Sequence, residues 1–355
     1  MNISIEKRPE SNLPFVDQSK LNVGRVFSDH MYRLSWRKNN WENPRIVPYG
    51  PVPIEPASLG LQLGQSAFEG LKAYRGTTDR VIRLFRPERN ANRFRISCDR
   101  LCIPPITNDQ FLNGIHKLVS LDQEWVPYNR NQALYIRPFV FGLDSNLSLI
   151  PADQYELFIM TSPVPEYFDP SHPGLSLKAE DQFTRASPGG TGYAKTAGNY
   201  AATLRPTKDA IDEGFDQILW LDAHEHQFIE EAGLMNIFFY LDNAIVTPRL
   251  TGTILAGITR ESVLALARDW SMTVEERDIS IQQIIEASNQ GKLREVFGVG
   301  TGAVIAPIRH IRYMEHDIFI TNTSDDSFAN KIRRALTGIQ YGEKEDHHNW
   351  MVPID

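Results

Sequence analysis

The stretch QILWLDAHEHQFIEEAGLMNIFFYLDNAIVTP, residues 217–248, decides the fold class. It consists of short apolar runs that turn-forming residues such as Gly233 and Asn243 separate. A parallel pair of strands needs a connection of about a dozen residues or more, usually a helix, and the connections here are shorter. The stretch therefore predicts neighbouring antiparallel strands in the second half of the chain.

The first half of the chain adds further strands and one well-defined helix. Strands are predicted in FSDHMYRLSW, SAFEGLKAYRG, DRVIRLFRP, NQALYIRPFVFGL and YELFIMTSPV. PERNANRFRISCDRL, residues 87–101, predicts a helix, because a proline suits the first helical turn. Phe94, Cys98 and Leu101 would share one face of it.

Helices are also predicted later in the chain. ITRESVLALARDW and IQQIIEASNQG have helical periodicity, and GNYAATLRPTKDAIDEG has it with a break at Pro206. Strands and helices together predict an α+β class, with mainly antiparallel sheets flanked by helices.

Length and proline positions predict two domains. A chain of 355 residues is too long for one simple core. Prolines crowd the stretch 163–173, which is typical of a hinge. We therefore expect a small N-terminal α+β domain over 1–165, an interdomain linker over 166–182 and a larger domain over 183–355.

Composition excludes several classes of protein. The chain has 41% hydrophobic and 23% charged residues, the balance of an ordinary globular protein. Its net charge of −7 is spread over segments of mixed sign, so no nucleic-acid-binding surface is expected. No apolar run reaches membrane-spanning length, and the N-terminal MNISIEKRPE lacks the apolar core of a signal peptide. We expect a cytoplasmic protein without a membrane partner.

Cysteine and histidine positions favour neither a disulfide framework nor a metal site. Cys98 and Cys102 are the two cysteines, four residues apart in a segment with a helical pattern, so both are expected on one core-facing side. The histidine pairs at 224/226 and 347/348 have no Cys or Asp companion at ligand spacing. We expect no metal.

The segment RASPGGTGYAKTAGNYAA, residues 185–202, contains one lysine among small residues. Small neighbours let a planar group lie against the backbone. Removal from water lowers the preference of Lys195 for its charged form, as Schiff-base chemistry requires. A solvated loop lysine is the alternative. A phosphate-binding P-loop fits less well, because Ala194 replaces the last glycine of that motif and no apolar strand precedes it.

FIEEAGLMNIFF, residues 228–239, places two carboxylates within an apolar strand. Strand alternation turns one of Glu230 and Glu231 inward. A buried carboxylate needs a cation, and a protonated pyridine nitrogen is such a cation. The alternative is a strand end with both acids in water.

Two glycine-containing segments are candidates for anion binding. In LAGITRESVLALA, Gly257 precedes a helix start, and N–H groups of a first helical turn bind phosphate. REVFGVGTGAVIAP has the glycines of a dinucleotide motif at the wrong spacing, and a strand pattern follows it. A glycine-rich turn that offers backbone donors to a carboxylate is the better interpretation.

Together these segments resemble the branched-chain aminotransferases, members of the fold-type IV pyridoxal-phosphate enzymes. The markers, in chain order, are GQSAFEGLKAYRG, LFRPERNANRF, LYIRPF, PGGTGYAKTAGNYAA, QILWLDA, EEAGLMNIF, GTILAGITR and EVFGVGTGAVIAP. Several long motifs in the right order are far more specific than one. The resemblance implies a two-domain fold-type IV enzyme, in a homodimer, that transfers amino groups between branched-chain or similar apolar L-amino acids and 2-oxoglutarate.

The resemblance also implies cofactor-binding roles. Lys195 would bear pyridoxal 5′-phosphate and move the proton between substrate and cofactor. Glu231, rather than Glu230, would pair with the pyridine nitrogen, and Tyr200 would hydrogen-bond the ring oxygen. The phosphate would be bound by Arg93, Ile258, Thr259 and Thr301.

The implied substrate site differs from the family pattern. Thr301 and Gly302, with Tyr135 and Arg137 nearby, would bind the substrate carboxylate, and Phe68 would form a wall. EYFDPSHPG and NLSLI would close the site, the second across the homodimer. The departures from the usual residues are Leu63 for a tyrosine, Leu234 for a small hydroxyl residue and Gly302 for an alanine.

These departures leave the preferred amino acid open. An aminotransferase for a non-standard or secondary-metabolite amino acid is the alternative within the family. Outside it, the alternatives are a P-loop nucleotidase and a binding protein without catalysis.

Overall fold

A computed structural model describes residues 2–165, 167, 174–322, 324 and 326–354. The first group of strands is β1 (Ser4–Ile5), β2 (His30–Arg37), β3 (Asn40–Pro48), β4 (Ser66–Phe68), β5 (Leu71–Arg75), β6 (Ile82–Phe85), β7 (Ala133–Gly142) and β8 (Tyr155–Val164). The later strands are β9 (Leu175–Ala179), β10 (Gln217–Leu221), β11 (Ile229–Ala232), β12 (Met235–Leu241), β13 (Ala244–Thr247), β14 (Thr273–Glu276), β15 (Leu293–Gly300), β16 (Val304–Tyr313), β17 (His316–Phe319) and β18 (Met351–Pro353).

The helices are distributed along the whole chain. They are α1 (Leu59–Gln62), α2 (Pro87–Arg100), α3 (Asn108–Leu121), α4 (Ala197–Ala201), α5 (Leu204–Asp212), α6 (Ile258–Asp269), α7 (Ile281–Asn289) and α8 (Phe328–Gln340). The predicted α+β class is confirmed by this mixture of sheets and helices.

Contacts divide the described residues into two compact units. The first comprises residues up to 167, together with 194–197 and 338–354, and the second comprises the other described residues up to 337. Residues 338–354 therefore belong to the first unit, whereas the predicted boundaries assign them to the second domain. The reason is that β18 pairs with β6, Met351 opposite Phe85. The predicted linker 166–182 includes residues 166 and 168–173, which lie outside the described residues, and its bounds stay a prediction.

The first unit is built on a sheet of order β1-β3-β2-β8-β7-β5-β6-β18, with β4 beside β7. Its neighbouring strands are antiparallel except for the short β1–β3 pair. Helices α2 and α3 cover one face, and Phe94 of α2 packs on Phe111 of α3 with ring centroids 5.3 Å apart. Both phenylalanines belong to the main core of the unit, so the helices are held by apolar burial.

The ends of these helices follow from local sequence. Pro87 occupies the first turn of α2, where a missing N–H costs nothing. Thr107 and Gln110 form a reciprocal capping box at the start of α3. Helix α2 ends at Arg100, so Cys98 is buried in the helix but Cys102 lies beyond it and is exposed. The prediction that both cysteines face the core is wrong for Cys102.

The second unit contains the sheet that the opening stretch of sequence predicts. Its order is β11-β10-β9-β16-β15-β12-β13-β14, with β17 beside β16. The pairs β10–β11, β11–β12 and β12–β13 are antiparallel, which confirms the prediction for 217–248. Strand β9 is parallel to both β10 and β16, and β14 is parallel to β13. The sheet is thus mainly, not wholly, antiparallel.

Helices of the second half follow the predicted segments with one difference. The break in the segment 198–214 lies at residues 202–203, before Pro206. Pro206 belongs to the first turn of α5, where the lack of an N–H group is tolerated. Among the described residues, no helix combines the length and the apolar character needed to cross a bilayer. The same residues contain no cluster of His, Cys, Asp and Glu suited to a metal ion.

Candidate active site

Lys195 is fixed by its backbone between a strand and a helix of the first unit. Its N–H donates to Ser97 Oγ of α2 at 2.8 Å, and its carbonyl accepts from the N–H of Phe68 at 3.0 Å. The next residue, Thr196, forms an isolated antiparallel bridge with Ala67 of β4. Because Ser97 is fully buried, this anchoring leaves little freedom to the lysine backbone.

The side chains of Lys195 and Arg137 lie over the same aromatic ring. Lys195 Nζ is 4.9 Å, and Arg137 Cζ 4.7 Å, from the ring centroid of Phe68. Arg137 Nη2 also donates to the hydroxyl of Tyr135 at 2.9 Å. The structure therefore brings together four predicted site residues of the first unit, two of them cationic.

Arg93, predicted as a phosphate ligand, binds a buried carboxylate. Its Nε and Nη2 atoms donate to the two oxygens of Glu69 at 2.8 and 2.6 Å. Burial opposes ionisation of Glu69, yet Arg93, Lys195 and the N–H of Gly70 offset it and hold the pKa of Glu69 below its usual value. Glu69 is a residue that the sequence analysis missed. A phosphate role for Arg93 stays a prediction.

Glu231 lies on β11 of the second unit and is only 3% exposed. Its Oε1 atom accepts the N–H of Leu255 at 2.7 Å, and its Oε2 atom is 3.4 Å from Nε of Arg185. A carboxylate forms strong charge-assisted hydrogen bonds with a cationic donor, and each of its oxygens can accept more than one hydrogen bond. This arrangement suits the predicted partner of a protonated nitrogen.

Glu230 is buried as well, at 5% exposure, so the prediction that only one acid turns inward is wrong. Its Oε1 atom accepts a short hydrogen bond from Thr253 Oγ1. Burial raises the pKa of Glu230 to about 7, and the neighbouring Glu231 and Asp222 act in the same direction. Thr253 and Arg185 partly oppose this shift.

Arg185 and Thr253 are the residues at this site that sequence reasoning overlooked. Arg185 Nη2 donates to the carbonyl of Gly192 at 3.3 Å and, more closely, to that of Thr253. The signal available in the sequence was a lone arginine at the start of the small-residue segment RASPGGTG. A charged residue beside glycines and alanines is expected either in water or in a specific ion pair.

Ile258 and Thr259 begin α6, as predicted, with Gly257 as the N-cap. Glycine supplies no side-chain oxygen to the first-turn N–H groups, so this helix start lacks the usual side-chain cap. Asn236 of β12 donates from Nδ2 to the carbonyl of Leu255 at 2.9 Å and so holds the approach to the helix. The geometry is that of an anion-binding helix N-terminus.

The other predicted residues are placed but their roles are not tested. Thr301 and Gly302 lie in the turn between β15 and β16, and Tyr200 lies in α4. Leu63 is the C-cap residue directly after α1 and is 49% exposed, and Leu234 lies in the β11–β12 turn and is 62% exposed. Their part in a substrate pocket stays a prediction.

Comparison with known proteins supports the resemblance. The family model described as amino-transferase class IV matches residues 66–311. Branched-chain-amino-acid aminotransferase 2 of Bacillus subtilis (strain 168) is 43% identical over 342 residues, which are 96% of this chain and 94% of that protein. A probable branched-chain-amino-acid aminotransferase of Staphylococcus aureus (strain MRSA252) is 43% identical over 344 residues, 95% of this chain and 94% of that protein.

A solved structure shows the same fold. The branched-chain amino acid aminotransferase of Escherichia coli superposes with a TM-score of 0.73 at 23% identity, covering 91% of this chain and 99% of that chain. The family match over residues 66–311 and the 43% identity over nearly the whole chain lead to one conclusion. This chain belongs to the class IV aminotransferase family.

Proposed function

We propose that this enzyme transfers the amino group of branched-chain or similar apolar L-amino acids to 2-oxoglutarate, with pyridoxal 5′-phosphate as its cofactor. The relatives at 43% identity carry the name of this activity. The structural observation that carries the proposal is the anchoring of Lys195 between Ser97 and Phe68, which fixes the backbone that carries one primary amine.

The residues present fit this cofactor. Lys195 offers an amine for a covalent link, and Glu231 is a buried carboxylate paired with Arg185. The N-terminus of α6, with glycine as its cap, suits the phosphate. We assign Arg93, Tyr200 and Thr301 to the same cofactor, Arg93 and Thr301 toward the phosphate and Tyr200 toward the ring oxygen.

When bound, pyridoxal 5′-phosphate supplies an electron-withdrawing ring that makes the Cα–H bond of an amino acid acidic. Lys195 Nζ would take this proton and return it when the amino group is passed on, acting as general base and then as general acid. Glu231 would accept a hydrogen bond from the pyridine nitrogen and so favour its protonated form. Lys195 is held by its backbone hydrogen bonds, and the Glu231 carboxylate is held by the N–H of Leu255 and the guanidinium of Arg185.

Arg137 suits the side-chain carboxylate of 2-oxoglutarate or glutamate. Its Nε atom is buried and makes no hydrogen bond within the described part of the chain. A buried donor without an acceptor is costly, so an acceptor is expected in the working enzyme. Tyr135 orients the guanidinium from one side, and the ring of Phe68 covers it. The Thr301–Gly302 turn takes the α-carboxylate in this assignment.

The working enzyme is a homodimer in the cytoplasm on this proposal. The loop 146–150 carries Leu147, Leu149 and Ile150, which are 83%, 85% and 60% exposed in the single chain. Clustered exposed leucines favour a covered surface, and a second copy of the same chain is the commonest cover.

The test is an amino-donor panel with 2-oxoglutarate, combined with covalent labelling. Valine, isoleucine or leucine should be accepted, Lys195→Ala should lose all turnover, and Lys178→Ala, whose exposed amine pairs with Glu213, should keep it. Borohydride reduction and peptide mapping should label Lys195. Labelling at Lys72 or Lys178, or a protein stabilised by ATP and indifferent to pyridoxal 5′-phosphate, would overturn the proposal.

A non-standard apolar amino acid is the second candidate substrate, because Leu63 and Leu234 change the expected pocket. A single methylene in an apolar pocket is worth roughly 1–3 kcal/mol in discrimination. The catalytic efficiencies for valine, isoleucine, leucine, methionine and phenylalanine should therefore be re-ranked in Leu63→Tyr. An unchanged ranking would show that Leu63 does not line the pocket.

A further inference from the structure

One short segment of the second unit connects two parts of the candidate site. Residues 251–257, which we call the bridging segment, begin at Thr251 and end at Gly257, the N-cap of α6. Within it, the N–H of Leu255 donates to Glu231 at 2.7 Å. The segment therefore contacts the carboxylate directly and leads without interruption into the helix start at Ile258.

The bridging segment is held by buried polar groups rather than by sheet pairing. Arg185 donates to the carbonyl of Thr253, and the hydroxyl of Thr253 donates to Glu230. Thr251 and Thr253 share a hydroxyl hydrogen bond of 2.8 Å, and Asn236 donates to the carbonyl of Leu255. The carbonyl and hydroxyl of Thr253 and both backbone polar groups of Leu255 are thus hydrogen-bonded to residues outside the middle of the segment.

The approach of these elements is unusually close. A Cβ atom at Gly192 would collide with the carbonyl of Thr253, and a Cβ atom at Gly257 would collide with the side-chain oxygen of Asn236. Only glycine permits the two contacts, so the segment has little room to shift. Arg185 is 8% exposed and Thr253 3% exposed, and solvent therefore does not compete for these hydrogen bonds.

Burying a guanidinium beside two carboxylates is costly, and such arrangements stabilise a fold less than an apolar cluster of the same size. Stability of the fold therefore does not by itself account for Arg185 at this position. We propose that Arg185 is a positioning residue, which acts through Thr253 and the bridging segment to fix the distance between the Glu231 carboxylate and the N–H groups of Ile258 and Thr259. Glu230, which accepts a hydrogen bond from the hydroxyl of Thr253, is the second residue that holds this threonine.

The inference rests on the proposed function, because it assigns both ends of the bridging segment to one cofactor. It predicts that the effect of a substitution on affinity depends on how many ends of the bridging segment the ligand contacts. A ligand that engages both ends depends on their distance, whereas a ligand that engages one end does not. Pyridoxal 5′-phosphate is the first kind of ligand, and pyridoxal, which lacks the phosphate, is the second.

The test compares the two ligands in matched variants of the full chain. Arg185→Lys keeps the charge but loses the planar guanidinium, whose Nη2 atom donates to two carbonyls while its Nε atom faces Glu231. Thr253→Val keeps the shape but loses the hydroxyl that donates to Glu230. The controls are Arg249→Lys, whose exposed side chain pairs with Asp278, and Thr337→Val, whose hydroxyl bonds within α8. Dissociation constants are measured for both ligands, and the pH titration of the cofactor's absorbance is recorded for each loaded enzyme.

In Arg185→Lys and Thr253→Val, we expect the dissociation constant of pyridoxal 5′-phosphate to rise about tenfold or more and that of pyridoxal about threefold or less. The midpoint pH of the absorbance titration should change in the same two variants and in neither control. Equal losses for both ligands, or a lowered melting temperature with unchanged binding, would overturn the inference. A wild-type chain that forms no link between Lys195 and the cofactor would instead overturn the proposed function. If Arg185→Lys does not fold, Arg185→Gln, which keeps an N–H donor for the carbonyl of Thr253 but loses the charge, replaces it with the same expected results.

Discussion

Glu230 and Glu231 are neighbours on one strand and differ in what they contact. Glu231 is bound by the N–H of Leu255 and faces Arg185, whereas Glu230 is bound by the hydroxyl of Thr253. Strand alternation predicts that one acid turns inward and cannot predict that both are covered. The cover comes from the bridging segment, later in the chain, and no local periodicity contains that contact.

Replacement of each acid by glutamine should separate their roles. Glu231→Gln removes the charge that favours a protonated pyridine nitrogen, so the half-reaction with an amino acid should slow about a hundredfold or more. Glu230→Gln keeps an oxygen for Thr253 and should slow it about threefold or less. Stopped-flow absorbance of the cofactor measures both. A larger loss at Glu230 would mean that the two assignments must be exchanged.

Glu230 also predicts how stability depends on pH. Its pKa is raised to about 7 by burial, so between pH 4.5 and 7 the folded chain binds a proton that the unfolded chain has lost. Stability contributed by this group is therefore present at low pH and falls as pH rises through that window. The groups facing Glu230 are Arg185, Glu231, Asp222 and Thr253.

The measurement is urea unfolding of the holoenzyme at pH 5 and pH 8. Between pH 5 and pH 8, the free energy of unfolding of the wild-type chain should fall by on the order of 2–3 kcal/mol more than that of Glu230→Gln. Glu286→Gln, at an exposed-side position of α7 that bonds Gln282, is the matched control and should follow the wild type. Parallel profiles for wild type and Glu230→Gln would contradict the prediction.

At the scale of elements, strands and helices are largely predictable, but their ends are not. The pattern of Phe94 and Cys98 correctly indicates α2, and both side chains are buried. Helical periodicity extends the same face to Cys102, yet the chain leaves the helix at Leu101, and Cys102 adopts a positive φ of 57°. The end of α2 is capped by backbone groups and not by a side chain, so the sequence contains no strong signal for it.

The end of α2 has a measurable consequence for the two thiols. Burial raises the pKa of the Cys98 thiol well above its usual value, whereas Cys102 is exposed. A native chain treated with an alkylating reagent should therefore gain one label, because reactivity requires access and thiolate character. Intact-mass measurement should find no label in Cys102→Ser and one label in Cys98→Ser. The reverse labelling pattern would show that Cys98 is exposed and Cys102 buried, and would contradict a helix end at Arg100.

The glycine-rich motif shows where local chemistry is enough. The sequence predicts a turn after REVFGVG, and the structure has β15 end at Gly300 and β16 begin at Val304. Likewise α6 begins at Ile258, directly after the predicted glycine. These features depend on neighbouring residues alone. The contact between Arg185 and Glu231 joins residues far apart in sequence, and it is for this reason that the sequence analysis missed it.

On the scale of the whole molecule, the position of the C-terminal residues in the sequence does not indicate the unit to which they belong. Residues 338–354 follow the second unit but belong to the first, where Tyr341 donates its hydroxyl hydrogen to the carbonyl of Gln132 at 2.9 Å. Trp350 packs edge-on against Phe85 with ring centroids 5.7 Å apart. Pairings over such separations are not encoded in any short window, so boundaries drawn along the chain assign these residues to the second half, whereas their contacts lie in the first unit.

The homodimer is the last prediction, and it concerns one surface of the first unit. The loop 146–150 lies beside α1, since the N–H of Asn146 donates to the carbonyl of Ala57 and Gln62 donates to the carbonyl of Asn146. Leu61 and Leu63 of that neighbourhood are 61% and 49% exposed. Together with the leucines of the loop they form an apolar surface that costs free energy in water, at about 25 cal/mol for each Å² left uncovered.

A charge placed in this surface should separate the copies. The wild-type chain should sediment with twice its mass of 40.4 kDa, and Leu149→Asp should sediment as a single chain, because a buried aspartate without a partner is strongly disfavoured. Phe319→Asp, at a 67% exposed position of β17 in the other unit, is the matched control and should stay dimeric. Since the NLSLI loop is expected to reach the partner's substrate site, Leu149→Asp should also lose turnover while Lys195 can still be labelled by borohydride. A Leu149→Asp chain that remains dimeric and active would exclude this surface as the interface.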